Sequence, residues 1–322
     1  MKIHLTLGVV LFLASGSTAR SFAQPGAGVE VAELHEISAG ASVIQVDFAA
    51  GAMDLPHQTV LDHIGAAISA ITAYYGRFPV ARARLLIIPA EGRHGIMQGT
   101  TWGDVGGFQG FTRIRIGQHT TAAELASDWM TTHELVHMAF PSLNDNQHWM
   151  EEGQATYIEP LARVMTGELN AADVWADMVR DMPKGEPRPG DEGVDRTHTW
   201  ARTYWGGALF CLSADVAIRR QTANQKGLQD ALRAIVAQGG TIDHNWDLAQ
   251  ALDLGDRATG THVLTQMYAQ WKGAPVAVDL SKLWEELGIR TSPDGSVTFV
   301  ASAPLARLRE AMTARSKPAP QK

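Results

Sequence analysis

The chain has 322 residues, enough for two domains, and its 45% apolar content is sufficient to bury a sizeable core. With 19% charged residues and a formal charge of −7, it lacks the composition of a disordered chain, or of a protein that holds nucleic acid by neutralising phosphates. The single cysteine, Cys211, excludes an intramolecular disulfide framework and any cysteine-based zinc finger, and its apolar neighbours at 208–212 predict a buried free thiol.

At the amino terminus Lys2 precedes an apolar run over 7–14, and Ser21-Phe22-Ala23 precedes Gln24. This is the charged, apolar and small-x-small order of an export signal, predicted over residues 1–23. The mature protein is therefore expected outside the cytoplasm, periplasmic or secreted, without stable membrane insertion. Residues 29–48 carry β-type patches, clearest over 42–48. Asp54 and Pro56 then open a helix whose apolar stripe is Val60, Ile64, Ala67, Ile71 and Tyr74, ended by Gly76. A short strand follows over 84–88, then a glycine-rich loop over 92–110. The segment 111–116 alternates, with Ile114 and Ile116 opposite Arg113 and Arg115, which predicts an edge strand with one solvated face.

Beyond residue 120 the pattern is mostly helical. Thr121 and Glu124 make a capping box, Leu125, Trp129, Val136 and Phe140 form one buried stripe, and Pro141 stops the helix. A second helix is expected from about Gln147 to Gly167, bent or split by Pro160. Trp129 and Trp149 are both assigned to the core. The long loop 183–199 is expected to be functional or mobile. Helical stretches are predicted near 204–222, 227–237, 245–254 and 260–272, with disorder from Ser316 onward.

The chemistry is concentrated in His133-Glu134-Leu135-Val136-His137. Two histidines four residues apart lie one above the other on a helix, so both imidazoles reach one metal ion. Glu134 stands about 100° around the helix from His133, within reach of a water beside that ion. For the His and Glu content of this chain, chance predicts about 0.02 such matches. Zinc wants a third protein ligand, and the next helix offers Glu151, Glu152 and Glu159.

The His133–His137 motif followed by Trp149-x-x-Glu152-Gly153-x-x-x-Tyr157 resembles the gluzincin metallopeptidases, and among them the glycyl aminopeptidase and aminopeptidase N families. The resemblance implies one Zn²⁺ per chain held by His133, His137 and Glu152, with Glu134 as general base. Thr156, one turn after Glu152, is expected to hydrogen-bond a ligand. The run 202–209, with Asp215 and Ile218-Arg219-Arg220, resembles the glycyl aminopeptidase helix that follows the metal site. It implies that the Tyr204 hydroxyl stabilises the tetrahedral intermediate; His198, from the long loop, is the alternative donor. Relatives that cut at the amino terminus carry a Glu, before the edge strand, that holds the free amine. The corresponding place here reads Gly106-Gly107-Phe108-Gln109-Gly110, and a neutral Gln109 points away from that activity and toward internal cutting. Phe108, Gln109 and Gly110, with the edge strand, are expected to pair with an extended substrate.

The implied fold is α+β: a thermolysin-like zinc peptidase domain, with a small mixed sheet over the metal-binding helix, followed by a mainly helical domain. In residues, 24–140 would form the β-rich lobe ending in the metal-binding helix, 141–302 the helical lobe completing the cleft, and 303–322 a partly disordered tail. The expected function is a zinc-dependent peptidase acting on a peptide or protein. The alternatives are a zinc-binding envelope protein without catalysis, or a zinc amide or ester hydrolase.

Overall fold

The computed structural model describes residue 26 and residues 28–316. The export signal at 1–23 and the disordered end expected beyond Ser316 lie outside the described residues. Strands β1 (Val31–Ala39) and β2 (Ser42–Ala49) form an antiparallel hairpin, and Ile44, Val46 and Phe48 turn inward from β2, fully buried. Helix α1 (His57–Tyr75) lays its predicted stripe against that face, and Gly76 closes it at a φ of 79°, a left-handed cap that favours glycine. The crossover through α1 leads into β3 (Arg82–Ala90), parallel to β2.

The next segment departs from expectation. Residues 96–105, read as part of a glycine-rich loop, form strand β4 (Ile96–Val105), and β5 (Phe108–Gly117) returns antiparallel to it. Since β5 also pairs in parallel with β3, the sheet order is β1-β2-β3-β5-β4. The edge beside the helices is therefore β4, not the strand at 111–116. Glycine misled the reading because here it marks tight packing: a Cβ on Gly103 would stand 2.1 Å from the Ile242 carbonyl oxygen.

Helix α2 (Ala122–Ala126) starts with the predicted Thr121–Glu124 capping box. The single helix expected to run to Phe140 is instead broken, and α3 (Met130–His137) restarts after three residues. The Asp128 carboxylate causes the restart: it accepts the Met130 and Thr131 amides at 2.9 and 3.0 Å, and His63 of α1 holds it from behind at 3.0 Å. The break also turns Trp129 out of the core, 49% exposed, whereas Trp149 is buried as expected.

Helix α4 (His148–Thr166) runs unbroken through Pro160 and ends at Gly167. It packs between α1, α3 and the later helices, with Tyr157 bonded at 3.0 Å to the buried Asp215. Helix α5 (Ala171–Asp181) leads into the long loop, which is pinned rather than loose. Asp191 pairs with the buried Arg202 at 3.0 Å, and Asp195 accepts Trp149 Nε1 and the Tyr268 hydroxyl, each at 2.7 Å. A π-helical turn (Arg202–Gly206) opens α6 (Gly207–Gln221), and Cys211 within α6 is buried and free. Helices α7 (Leu228–Ala237), α8 (Leu248–Thr259) and α9 (Val263–Trp271) follow. Four short elements come last: α10 (Leu280–Leu287), β6 (Ile289–Thr291), β7 (Val297–Phe299) and α11 (Ala306–Met312). They had no sequence reading, and α11 forms within the stretch read as tail, with Leu308, Arg309 and Met312 buried. The architecture is α+β, a small mixed sheet against a helical body. Among the described residues no helix is long and apolar enough to cross a membrane.

Candidate active site

Helices α3 and α4 bring His133, His137 and Glu152 together, with one ligand atom from each inside a 4.8 Å cluster. Glu152 Oε2 lies 3.0 Å from His133 Nε2 and 3.7 Å from His137 Nε2. Those spacings suit donors about 2.0–2.2 Å from a common ion, and two nitrogens with one carboxylate oxygen are a zinc donor set that leaves a position open. Among the described residues no fourth His, Cys, Asp or Glu joins the group.

The protonation states agree with that reading. Burial first, helped by the neighbouring His133 and His148, outweighs the opposing pull of Glu152 and holds His137 down to about 4, so its ring is neutral. Burial works to raise Glu152, but hydrogen bonds from His133 and His148 outweigh it and keep the carboxyl well below its ordinary range. His148 itself is pushed up to about 10, first by Glu151 and then by Glu152.

Glu134 sits one step around α3, buried, under β4. The Thr101 hydroxyl of β4 donates to its Oε2 at 2.7 Å, and the Thr112 hydroxyl lies 2.9 Å behind Thr101. Gly99 leaves the space for the carboxylate, because a Cβ there would stand 2.5 Å from Glu134 Cγ. Burial raises the Glu134 pKa above the ordinary carboxylate value, partly offset by the neighbouring His133 and the Thr101 bond.

Tyr204 stands across from α3, its ring stacked over His133 at 6.1 Å between centroids. It rides on the π-helical turn, a distortion that recurs at functional sites. Helix α6 comes this close because Gly153 meets Gly207 at the crossing, where a Cβ on Gly153 would stand 2.2 Å from the Gly207 Cα. Burial, then the Glu152 and Glu134 carboxylates, push the phenol up, so it remains a donor at neutral pH.

Other expected positions are occupied differently. Thr156 donates at 2.8 Å to the main-chain carbonyl of Glu152, not to a ligand side chain. Glu151 accepts the Leu143 amide at 3.1 Å and pairs with His148, while Glu159 pairs with Arg163 at 2.8 Å, so neither joins the ligand group. His198 is exposed and lines neither cavity at the site. Phe108, Gln109 and Gly110 lie at the start of β5, away from the pocket that holds Glu134 and Glu152. The Gln109 side chain is a cross-link, accepting the Ala81 amide at 2.8 Å and donating to Asp243 at 2.9 Å. Gly110 packs on Met138. The strand that borders the pocket is β4, through Gly99–Gly103.

Three contributors escaped the sequence reading: Gly99, Thr101 and His148. His148 carried a usable signal, four residues before Glu152 on the same helix face, and its Nε2 lies 3.2 Å from Glu152 Oε1. Gly99 and Thr101 carried none while their segment was read as loop.

The framework that carries these groups is found in solved proteins. An aminopeptidase N family protein from Idiomarina loihiensis matches at a TM-score of 0.58 and 12% identity, over 84% of this chain and 53% of its own. An M1 zinc metallopeptidase from Deinococcus radiodurans matches at a TM-score of 0.48 and 17% identity, over 76% of this chain and 54% of its own, too loosely to support an argument. The chain thus spans about half the length of these structures. No protein-family model matches the sequence, and no curated protein does. The chain thus shares its fold with that aminopeptidase N family protein.

Proposed function

We propose that the protein is an exported zinc-dependent peptidase that hydrolyses internal peptide bonds. The observation that carries this is the placement of Glu134: a buried carboxylate, held by Thr101 at 2.7 Å, beside a three-ligand group that has no fourth protein ligand among the described residues. A site meant only to hold metal would more often close with a fourth protein ligand and would have no use for a fixed base.

His133, His137 and Glu152 would hold the zinc ion, which when bound supplies Lewis acidity toward water and a carbonyl oxygen. Glu134 takes the proton from the attacking water and delivers it to the leaving amine. The Tyr204 hydroxyl donates to the oxygen on which negative charge develops. Strand β4, the free edge along the pocket, offers its backbone to an extended substrate. Gly99–Gly103, the β4 residues that line the pocket, include no carboxylate, so this strand offers no charged anchor for a free amine. Glu151, elsewhere in the pocket lining, is already paired with His148, which favours internal cutting.

Elemental analysis and digestion of a denatured protein test the reading together. About one zinc per chain is expected in the wild type and little in Glu152→Ala, while Glu134→Gln keeps zinc and loses cleavage. Cleavage retained in Glu134→Gln would remove the general-base role, and a wild type that takes up no zinc when it is supplied would remove the proposal.

A further inference from the structure

A second cavity of about 520 Å³ opens on the other side of Tyr204 from β4. Its wall includes His133 and Tyr204, so it adjoins the ligand group directly. Trp129, Trp200, Trp205, Leu169, Met178 and Met182 give it an apolar lining. Two of these are among the most exposed large apolar residues described, Trp129 at 49% and Trp200 at 63%. Indole surface left open to water at the mouth of a concave site is surface awaiting an apolar partner.

The polar groups of the cavity are already answered. Arg163 at its floor donates to Glu159 at 2.8 Å, to Glu168 at 3.2 Å and to the Ala126 carbonyl at 3.4 Å. At the rim Asp181 takes Arg180 at 2.6 Å and Lys184 at 2.7 Å. No unpaired charge is left to favour an acidic or basic guest, and burying one there would cost desolvation without return.

We infer that this cavity is a specificity pocket that accepts a bulky apolar side chain, aromatic by preference, from a substrate residue flanking the cut. The inference rests on the peptidase reading above and adds the class of substrate. With the backbone along β4 and the reacting carbonyl between Glu134 and Tyr204, a flanking side chain reaches the tryptophan-lined space past Tyr204.

The test digests a denatured protein of mixed sequence with the zinc-loaded full chain and reads the cut sites by mass spectrometry. Beside the wild type stand Leu169→Trp, which fills the pocket from a half-buried wall, and Trp200→Ala, which removes an exposed wall. N-acetyl-phenylalaninamide binding to the same three proteins, followed by calorimetry, gives a readout that needs no turnover. Phe, Tyr, Trp or Leu at one flanking position should be favoured over Ala, Asp or Lys by about tenfold or more. The preference, and saturable binding of the amide, should weaken in both variants. Cleavage without such a preference, or with the same preference in Leu169→Trp, overturns the pocket and leaves the peptidase standing. If no cleavage is seen, the peptidase reading fails and the amide decides the pocket. Binding by the wild type that is lost in Leu169→Trp sustains an apolar site, and its absence overturns it.

Discussion

The general-base role proposed for Glu134 requires its carboxylate to be aimed, and the aiming falls on two β4 residues without charge. The Thr101 hydroxyl lies 2.7 Å from Glu134 Oε2 and 3.0 Å from the Glu134 main-chain carbonyl oxygen, and Gly99 keeps the neighbouring space clear. Thr101→Val preserves shape and removes the bond. Zinc content should be unchanged, while kcat falls by roughly tenfold or more, the cost of about 1.5–3 kcal/mol for a hydrogen bond to a charged group. Gly99→Ala is harsher, because its Cβ would stand 2.5 Å from Glu134 Cγ and the carboxylate must leave its place. Steady-state rates beside zinc analysis separate the two effects, and equal loss of metal and rate would return both residues to a merely structural role. Neither residue was legible in the sequence, in contrast to His133, Glu134 and His137, whose meaning lies in spacing alone. A threonine and a glycine acquire theirs only when a strand 33 residues upstream lies over the metal helix.

At the scale of elements, what could be read depended on whether a signal was local. Helix α1 was legible because its stripe lies within one 19-residue helix and its closing glycine immediately follows. Strand β4 was not, since its glycines answer Glu134 and Ile242, which are remote in sequence. The restart of α3 at Asp128 was missed for a related reason: the apolar stripe continues across it, and the partner that fixes the cap is His63. Burial opposes the charge on Asp128, but the bonds from His63 and Thr131 outweigh it and hold the carboxyl below its ordinary value. An acid with a lowered folded pKa contributes stability that is complete above its unfolded value and is lost as the pH falls through the folded one. Asp128→Ala should therefore cost about 1–2 kcal/mol at pH 7, and the deficit against wild type should shrink below about pH 4. Urea midpoints between pH 3 and pH 7 measure it, and a deficit that grows toward acid would contradict the assignment. Because α3 carries both histidines, the same variant should bind zinc more weakly.

Across the whole molecule, the geometry of the candidate site depends on how closely two helices can cross. Helix α4 supplies Glu152, and the turn into α6 supplies Tyr204; they meet where Gly153 faces Gly207 with no room for a methyl group on either side. The next turn of α4 is tied to the far body by Tyr157, whose hydroxyl reaches Asp215 at 3.0 Å, while Asp215 also holds Arg219 at 2.8 Å and the Leu228 amide at 2.9 Å. The helices can separate only by straining that buried network. Gly153→Ala should thus destabilise by about 3 kcal/mol, as overpacking at a backbone contact does, and should weaken zinc binding and cleavage together. A control lies in the same protein: Gly65 sits within α1 with nothing inside 4 Å of the position a Cβ would take. Alanine there should stabilise by about 0.5–1 kcal/mol through helix propensity. Denaturant titration of the two variants reads opposite signs if the crossing leaves no room for a Cβ on Gly153, which would stand 2.2 Å from the Gly207 Cα. The same sign in both would mean that α4 and α6 have slack, and that the approach of Tyr204 to the metal ligands is set elsewhere.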